Sequence, residues 1–177
     1  MTFRRFMLAA LLACLSIFPR PAESEEGEGL DALLEKRTAV LWIEGEAIGE
    51  MILGAKAQMA FIYADGRLTE AVWKDPAAPE WLRENTGFFG SRETKKKALF
   101  IVRVKTNRNF TLEPSMVSIG THVLTPGDIL TSKGFAPFGD LPPDLTGTFA
   151  AVIPLSAVKG KTISLSCGDF KTELVLP

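Results

Sequence analysis

The sequence predicts a mainly β protein, built as an antiparallel β-sandwich with one or two short helices in its N-terminal half and an export signal in front. Short apolar or alternating segments separated by turn residues fill the chain from Ala98 to its end. No helical pattern is interleaved with them, which argues against a parallel sheet. Residues 1–24 begin with basic residues and continue as an apolar run, which is typical of an export signal helix.

The N-terminal segment has the organisation of a cleaved bacterial signal peptide. Two arginines precede the apolar run Met7–Phe18, and Ala22 and Ser24 are small residues at the positions that a signal peptidase reads. The run is shorter than the roughly 20 residues that a membrane-spanning helix needs. We therefore expect cleavage after Ser24 and an extracytoplasmic protein, periplasmic or secreted.

Lipidation at Cys14 is an alternative. The residues Leu11–Cys14 resemble the lipobox of bacterial lipoproteins, in which the cysteine carries the lipid. The apolar stretch ahead of Cys14 is short for that purpose, and it continues beyond the cysteine to Phe18. Soluble export is the favoured interpretation, and membrane contact is expected only through a lipid anchor of this kind.

Residues 25–29 are acidic and glycine-rich and predict a tether, because they carry too little apolar surface to offset the entropy of ordering them. Residues 30–177 then form one predicted domain, in which 98–177 is all β. Once the signal is removed, Cys167 is the only cysteine. The domain must therefore be stabilised by a hydrophobic core rather than by disulfides.

The first elements of the domain follow from local patterns. Leu30, Leu33 and Leu34 recur at helical spacing, with an acid near the start and bases near the end, and predict a helix over 30–37. The β-branched and aromatic run 39–43 predicts a buried strand, with a continuing helix as the alternative.

Two further elements are predicted before residue 98. The pair Asp65-Gly66 between the apolar segments 57–63 and 68–74 predicts a β-hairpin. Proline at the start and glycine just past the end predict a short helix over 79–85.

The C-terminal half is predicted to contain strands only. Residues 98–106 alternate between apolar and basic side chains, as expected of a strand with one face on a core. Pro126-Gly127 predicts a type II turn, and Gly168-Asp169 predicts a hairpin turn. The remaining predicted strands are 110–113, 116–119, 122–124, 147–153, 162–167 and 170–176.

This architecture is similar to the immunoglobulin-like sandwiches common in exported bacterial proteins. The resemblance lies in the strand pattern alone, since the sequence lacks the Cys, Trp, Cys triplet of antibody domains. Because such sandwiches serve as adhesins, chaperones and ligand binders, the resemblance implies a fold and no single function.

Residues that could carry catalysis are few. His122 is the only histidine, no Gly-x-Ser-x-Gly motif occurs, and Cys167 falls on an apolar strand face. A copper site built from these two residues and Met51, Met59 and Met116 lacks any diagnostic spacing, so core packing is the simpler interpretation. We expect no enzyme activity, no cofactor and no bound metal.

The net charge also restricts the partners. The chain has 20 basic and 21 acidic residues, a formal net charge of −1. That balance argues against a strongly basic nucleic-acid binder. A local basic run, Arg92 and 95–97, is either a solvated loop or a contact for an acidic surface such as anionic lipid headgroups or cell-wall polymers.

Aromatic residues cluster where regular structure is weakest. Trp73, Trp81, Phe88 and Phe89 lie close together around two prolines. They predict either a platform for a protein partner or a sugar, or a satellite core that caps the sandwich. We therefore expect an exported envelope protein of binding or accessory type that acts through protein–protein contact, with a small-ligand or carbohydrate-binding module as the alternative.

Overall fold

Two four-stranded antiparallel sheets, two smaller two-stranded sheets and a layer of three α-helices form the part of the chain that the structure, a computed structural model, describes: residues 28–49, 51–132 and 134–177. The predicted signal segment and Cys14 lie outside these residues. No helix within them is long and apolar enough to cross a membrane.

The elements follow one another in a defined order. The helices are α1 (Leu30–Arg37), α2 (Gly66–Lys74) and α3 (Glu80–Thr86). The strands are β1 (Thr38–Ile43), β2 (Glu46–Ile48), β3 (Met51–Leu53), β4 (Ala57–Ala64), β5 (Lys97–Thr106), β6 (Phe110–Leu112), β7 (Val117–Ile119), β8 (His122–Val123), β9 (Gly139–Leu141), β10 (Thr146–Pro154), β11 (Thr162–Cys167) and β12 (Phe170–Val175). Single 3₁₀ turns occupy Pro114–Met116 and Pro126–Asp128.

The central sheet has the strand order β1-β4-β5-β10, and the second sheet has the order β12-β11-β7-β8. One continuous cluster of buried side chains contains residues from both sheets, among them Met59, Phe100 and Phe149 from the central sheet and Leu165 from the second. The two sheets therefore share a core, as the faces of a sandwich do.

The opposite face of the central sheet is covered by the helices. Leu33, Leu68 and Leu82, one from each helix, pack in a second buried cluster with Leu99 and Ile101 of β5. As a result β5 is buried on both faces, which explains why its first half reads as a continuous apolar run rather than an alternating one. The molecule is thus layered as helices, central sheet and second sheet.

The predicted hairpin over 57–63 and 68–74 is wrong in its second half. Residues 66–74 form α2, because the Asp65 side chain accepts the backbone N–H of Leu68 at 2.8 Å and so caps a helix. Leu68 and Val72, four residues apart, are then both buried. The described residues 28–49 and 51–88 therefore contain three α-helices, where one or two were predicted for the N-terminal half.

Other predicted elements are confirmed at the level of a mainly β, antiparallel fold. α1, α3, β1 and β5 lie where the patterns placed them, and β11 and β12 form the predicted hairpin. The predicted type II turn is instead the 3₁₀ turn Pro126–Asp128, and β2, β3 and β9 were not predicted. The immunoglobulin-like topology stays a prediction.

Each edge of the central sheet lies beside another segment of the chain. Ile129 forms a β-bridge with Ala151 of the edge strand β10, and the Leu130 N–H donates to the Ala150 carbonyl at 2.8 Å. At the other edge, β12 lies close to β1.

Candidate functional site

All four aromatic residues singled out from the sequence lie on the helical layer. Trp73 is in the last turn of α2, Trp81 is in α3, and Phe88 and Phe89 are in the turn that follows α3. The structure therefore brings them to one side of the molecule.

Trp73 and Phe89 form the exposed part of this group. Trp73 is 58% exposed and Phe89 is 42% exposed. The Phe89 ring lies 3.6 Å from the position that a Cβ would take at Gly66, and Trp73 lies 3.9 Å from the corresponding position at Gly87. The missing side chains at these two glycines leave room for the rings to rest on α2 and on the turn.

Trp81 and Phe88 are instead partly buried against the cluster beneath the helices. The guanidinium carbon of Arg103, on β5, lies 4.3 Å from the centroid of the Trp81 ring, a cation–π contact. Two of the four rings are therefore exposed and two are packed against the core, and a binding platform stays a prediction.

Buried threonines fix the turn that carries Phe88 and Phe89. The Thr86 hydroxyl donates to the Leu82 carbonyl at 2.9 Å, and the Thr94 hydroxyl donates to the Phe88 carbonyl at 2.9 Å. Because both threonines are buried, their hydroxyls have little water to compete with these bonds. The exposed aromatic surface is therefore held on a rigid support.

An ion pair that the sequence did not predict anchors the start of α2. Arg37 is buried and donates to Asp65 Oδ2 from Nε at 3.1 Å and from Nη2 at 2.8 Å. Partial burial acts to raise the pKa of Asp65, but the hydrogen bonds from Arg37 and from the Leu68 N–H outweigh it and lower that pKa. Burial and the neighbouring Asp65 charge raise the pKa of Tyr63. An aspartate directly after a strand was the only local signal of this arrangement.

His122 is engaged in a turn. Its Nε2 lies 2.9 Å from Asp128 Oδ2, and the same oxygen accepts the Thr125 N–H at 2.8 Å and the Thr125 hydroxyl at 2.7 Å. Partial burial acts to raise the pKa of Asp128, while these hydrogen bonds outweigh it and lower the pKa. The contacts between Thr125 and Asp128 form a capping box on the 3₁₀ turn, and His122 binds the carboxylate of that box.

The other residues considered for metal chemistry are in or beside the core. Cys167 and Met59 are buried, and Met116 packs against the same cluster. Burial raises the pKa of the Cys167 thiol to about 11, so little thiolate forms near neutral pH. Among the residues that the structure describes, no group of three or more His, Cys, Asp and Glu side chains is gathered for a metal ion. The side chain of Met51 is outside that description.

Comparison of the chain with protein-family models, with curated proteins and with solved structures finds no match.

Proposed function

We propose that this protein is an exported envelope protein that works by binding a partner protein through the exposed side of its helical layer, centred on Trp73 and Phe89. The observation that carries the proposal is the exposure of these two large aromatic side chains on a rigid support. Tryptophan and other aromatic anchors supply much of the binding energy at protein interfaces, because they contribute large contact areas at low entropic cost.

Rigidity supports a binding role. The Arg37–Asp65 pair fixes the start of α2, and Thr94 fixes the turn that carries Phe89. A surface that is ordered before it meets its partner loses less conformational entropy on binding. The order of the backbone around Trp73 and Phe89 therefore supports their proposed role as binding anchors.

The surroundings of the rings match the anatomy of an interface. Charged side chains lie next to Trp73 on α2, where Glu70 and Lys74 form an exposed ion pair at 2.6 Å. Protein interfaces commonly combine a few apolar anchors with a polar rim.

A protein partner fits the spacing better than a sugar does. Phe89 rests on Gly66 at the start of α2, while Trp73 is seven residues further along, about 10 Å of helix at 1.5 Å per residue. Anchor points that far apart along the helix suit an extended protein surface, which we favour over a single sugar ring. The two facing antiparallel sheets support an immunoglobulin-like scaffold behind this surface.

Crosslinking in native envelope extract tests the proposal. We expect the unmodified protein to be recovered in a specific adduct, and Trp73→Ala to lose that adduct while keeping its thermal stability. The matched control is Val123→Ala, which shortens a side chain of similar exposure on the second sheet. A protein that stays strictly alone, or equal recovery with Trp73→Ala, would contradict the proposal. Tryptophan fluorescence that responds to a panel of glycans would favour the carbohydrate-binding alternative.

Export is tested separately, by the mass and N-terminal sequence of the protein isolated from the cell envelope. We expect a chain that begins at Glu25, as cleavage after Ser24 requires. A chain that begins with a lipid-modified Cys14 would establish the lipoprotein alternative, and a full-length chain in the cytoplasm would refute export.

A further inference from the structure

Two basic loops meet at one end of the central sheet. Residues 88–97 lead into β5, and residues 155–161 leave β10. Because Lys97 pairs with Pro154 in the register of these two strands, the loops lie at the same end. We call the exposed surface formed by the two loops the basic end.

The charged side chains of the basic end are positive with one exception. Its only acidic side chain is Glu93, which is exposed like the basic ones. None of the basic side chains forms a salt bridge with a residue that the structure describes. They are Arg92, Lys95, Lys96, Lys97, Lys159 and Lys161.

The backbone that carries these like charges is held in place. The Lys97 N–H donates to the Thr94 carbonyl at 3.0 Å, and Lys96 has a left-handed backbone with φ of 63°. On the other loop, the Lys161 carbonyl accepts the Leu176 N–H at 2.7 Å. Fixing neighbouring lysines close together raises their mutual repulsion, which a bound array of anions would relieve.

Apolar side chains are exposed beside the charges. Leu155, the first residue after β10, is 53% exposed. Phe89 flanks the other side, since it rests on Gly66 just beyond Ala64, the β4 residue that pairs with Leu99. Basic side chains next to exposed apolar ones suit a bilayer surface, where the lysines meet anionic headgroups and the apolar groups enter the interface.

We infer that the basic end binds the surface of an anionic membrane, with its lysines on headgroup phosphates and Leu155 in the interfacial layer. A soluble acidic polymer would satisfy the lysines but would not bury Leu155. This inference goes beyond the proposed partner binding, and it shares only Phe89 with it. The tests therefore use residues that the partner surface does not contain.

Sedimentation with lipid vesicles tests the inference. We expect the protein to bind vesicles of mixed phosphatidylglycerol and phosphatidylcholine, to bind pure phosphatidylcholine weakly, and to be released by salt. Replacing both Lys95 and Lys96 by Gln should lower the partition coefficient about 30-fold. Each lysine near such a surface usually contributes about 1 kcal/mol, and two of them together give this factor. Leu155→Ser should weaken binding while leaving its salt dependence unchanged.

The matched control carries the same charge change at the other end of the sheet. Lys105 and Arg108 are exposed near the end of β5, and replacing both by Gln should leave vesicle binding unchanged. Every variant keeps the same N-terminus, so a lipid anchor or retained signal affects all of them equally. Thermal unfolding of each variant establishes that it is folded.

Several outcomes would overturn the inference. Equal binding to both kinds of vesicle would do so, as would equal losses in the Lys95/Lys96 and Lys105/Arg108 variants. Binding to polyphosphate without binding to vesicles would assign the basic end to an acidic polymer instead.

Loss of the crosslinked partner in Trp73→Ala with unchanged vesicle binding would show that the two surfaces act independently.

Discussion

Arg37 is a charged side chain placed where apolar residues usually lie. Its guanidinium group binds Asp65 through two nitrogens and donates from Nη1 to the Leu33 carbonyl at 3.3 Å. In this way the last residue of α1 is tied both to its own helix and to the cap of α2. A planar group with several donors suits this position better than a lysine would.

Asp65→Asn tests the ion pair apart from the helix cap. Asparagine caps helices about as well as aspartate, but it leaves the buried guanidinium of Arg37 without a counter-charge. We expect a loss of about 2 kcal/mol in the free energy of unfolding, measured by urea denaturation at neutral pH. Glu70→Gln breaks a fully exposed pair and should have no measurable effect. Equal stability of Asp65→Asn and the unmodified protein would show that the pair is neutral.

The capping box of Asp128 should make part of the stability depend on pH. The pKa of Asp128 is lowered in the folded protein, so its hydrogen bonds stabilise the fold above the unfolded pKa of about 3.9. That stabilisation is lost as the pH falls through the lowered, folded pKa. We expect Asp128→Asn to lose about 1 kcal/mol at pH 6 and to converge on the unmodified protein under acid. Urea denaturation across this range measures the difference, and a gap that does not change with pH would refute the account.

At the scale of elements, the sequence predicted what local patterns determine. Gly168 between two alternating segments predicted the hairpin of β11 and β12, because glycine readily adopts the positive φ that such a turn requires. In the structure its φ is 57°. The short helix α3 was identified from proline before it and glycine after it.

The mistaken hairpin shows the limit of such patterns. Asp65 followed by glycine suits a tight turn and a helix cap equally well, and the outcome depends on tertiary packing. Leu68 and Val72 lie on a helix because this places both side chains against the apolar face of β4 and β5. Likewise, Arg37 and Asp65 are 28 residues apart, so no local sequence pattern predicts that they form an ion pair. The candidate site was predicted as a group of residues, but its division into exposed and packed rings was not.

Gly120 is a position where packing between elements excludes any side chain. Its φ is 62°, and a Cβ there would lie 1.9 Å from the Ala157 carbonyl oxygen. We expect Gly120→Ala to lose about 3 kcal/mol or more in the free energy of unfolding, since both strain and a backbone clash arise.

Gly168→Ala is the matched control. Gly168 has a similar φ of 57°, but nothing lies within 4 Å of the position that a Cβ would take there. The Gly168→Ala variant should lose only about 1 kcal/mol in the free energy of unfolding, the usual cost of an alanine in the left-handed conformation. Urea denaturation of both variants compares them, and equal losses would show that the Ala157 contact moves aside at no cost.

At the scale of the whole molecule, Cys167 reports on the opening of the shared core between the sheets. Its thiol is buried and its pKa is raised by that burial, so both access and ionisation oppose reaction. We expect a thiol reagent at pH 8 to modify it only through the small fraction of molecules that is unfolded. The measurement uses the Cys14→Ser chain, in which Cys167 is the only cysteine.

Urea provides the check on that prediction. The modification rate should rise in parallel with the fraction of unfolded protein measured by circular dichroism. Rapid modification without denaturant would instead reveal a local opening of β11. Gly120→Ala should accelerate the modification of Cys167 if the loss of stability at Gly120 and the exposure of Cys167 belong to the same cooperative unfolding transition.

The covered edges of the central sheet affect how copies of this protein meet. An open edge strand offers unpaired backbone groups that another chain can join, and so invites polymerisation. Here Ile129 and Leu130 pair with the middle of β10, at Ala151 and Ala150, and β12 lies beside β1. Another chain that adds a strand to the central sheet must therefore first displace these segments, so aromatic side chains can be exposed on the helical layer without a bare sheet edge beside them.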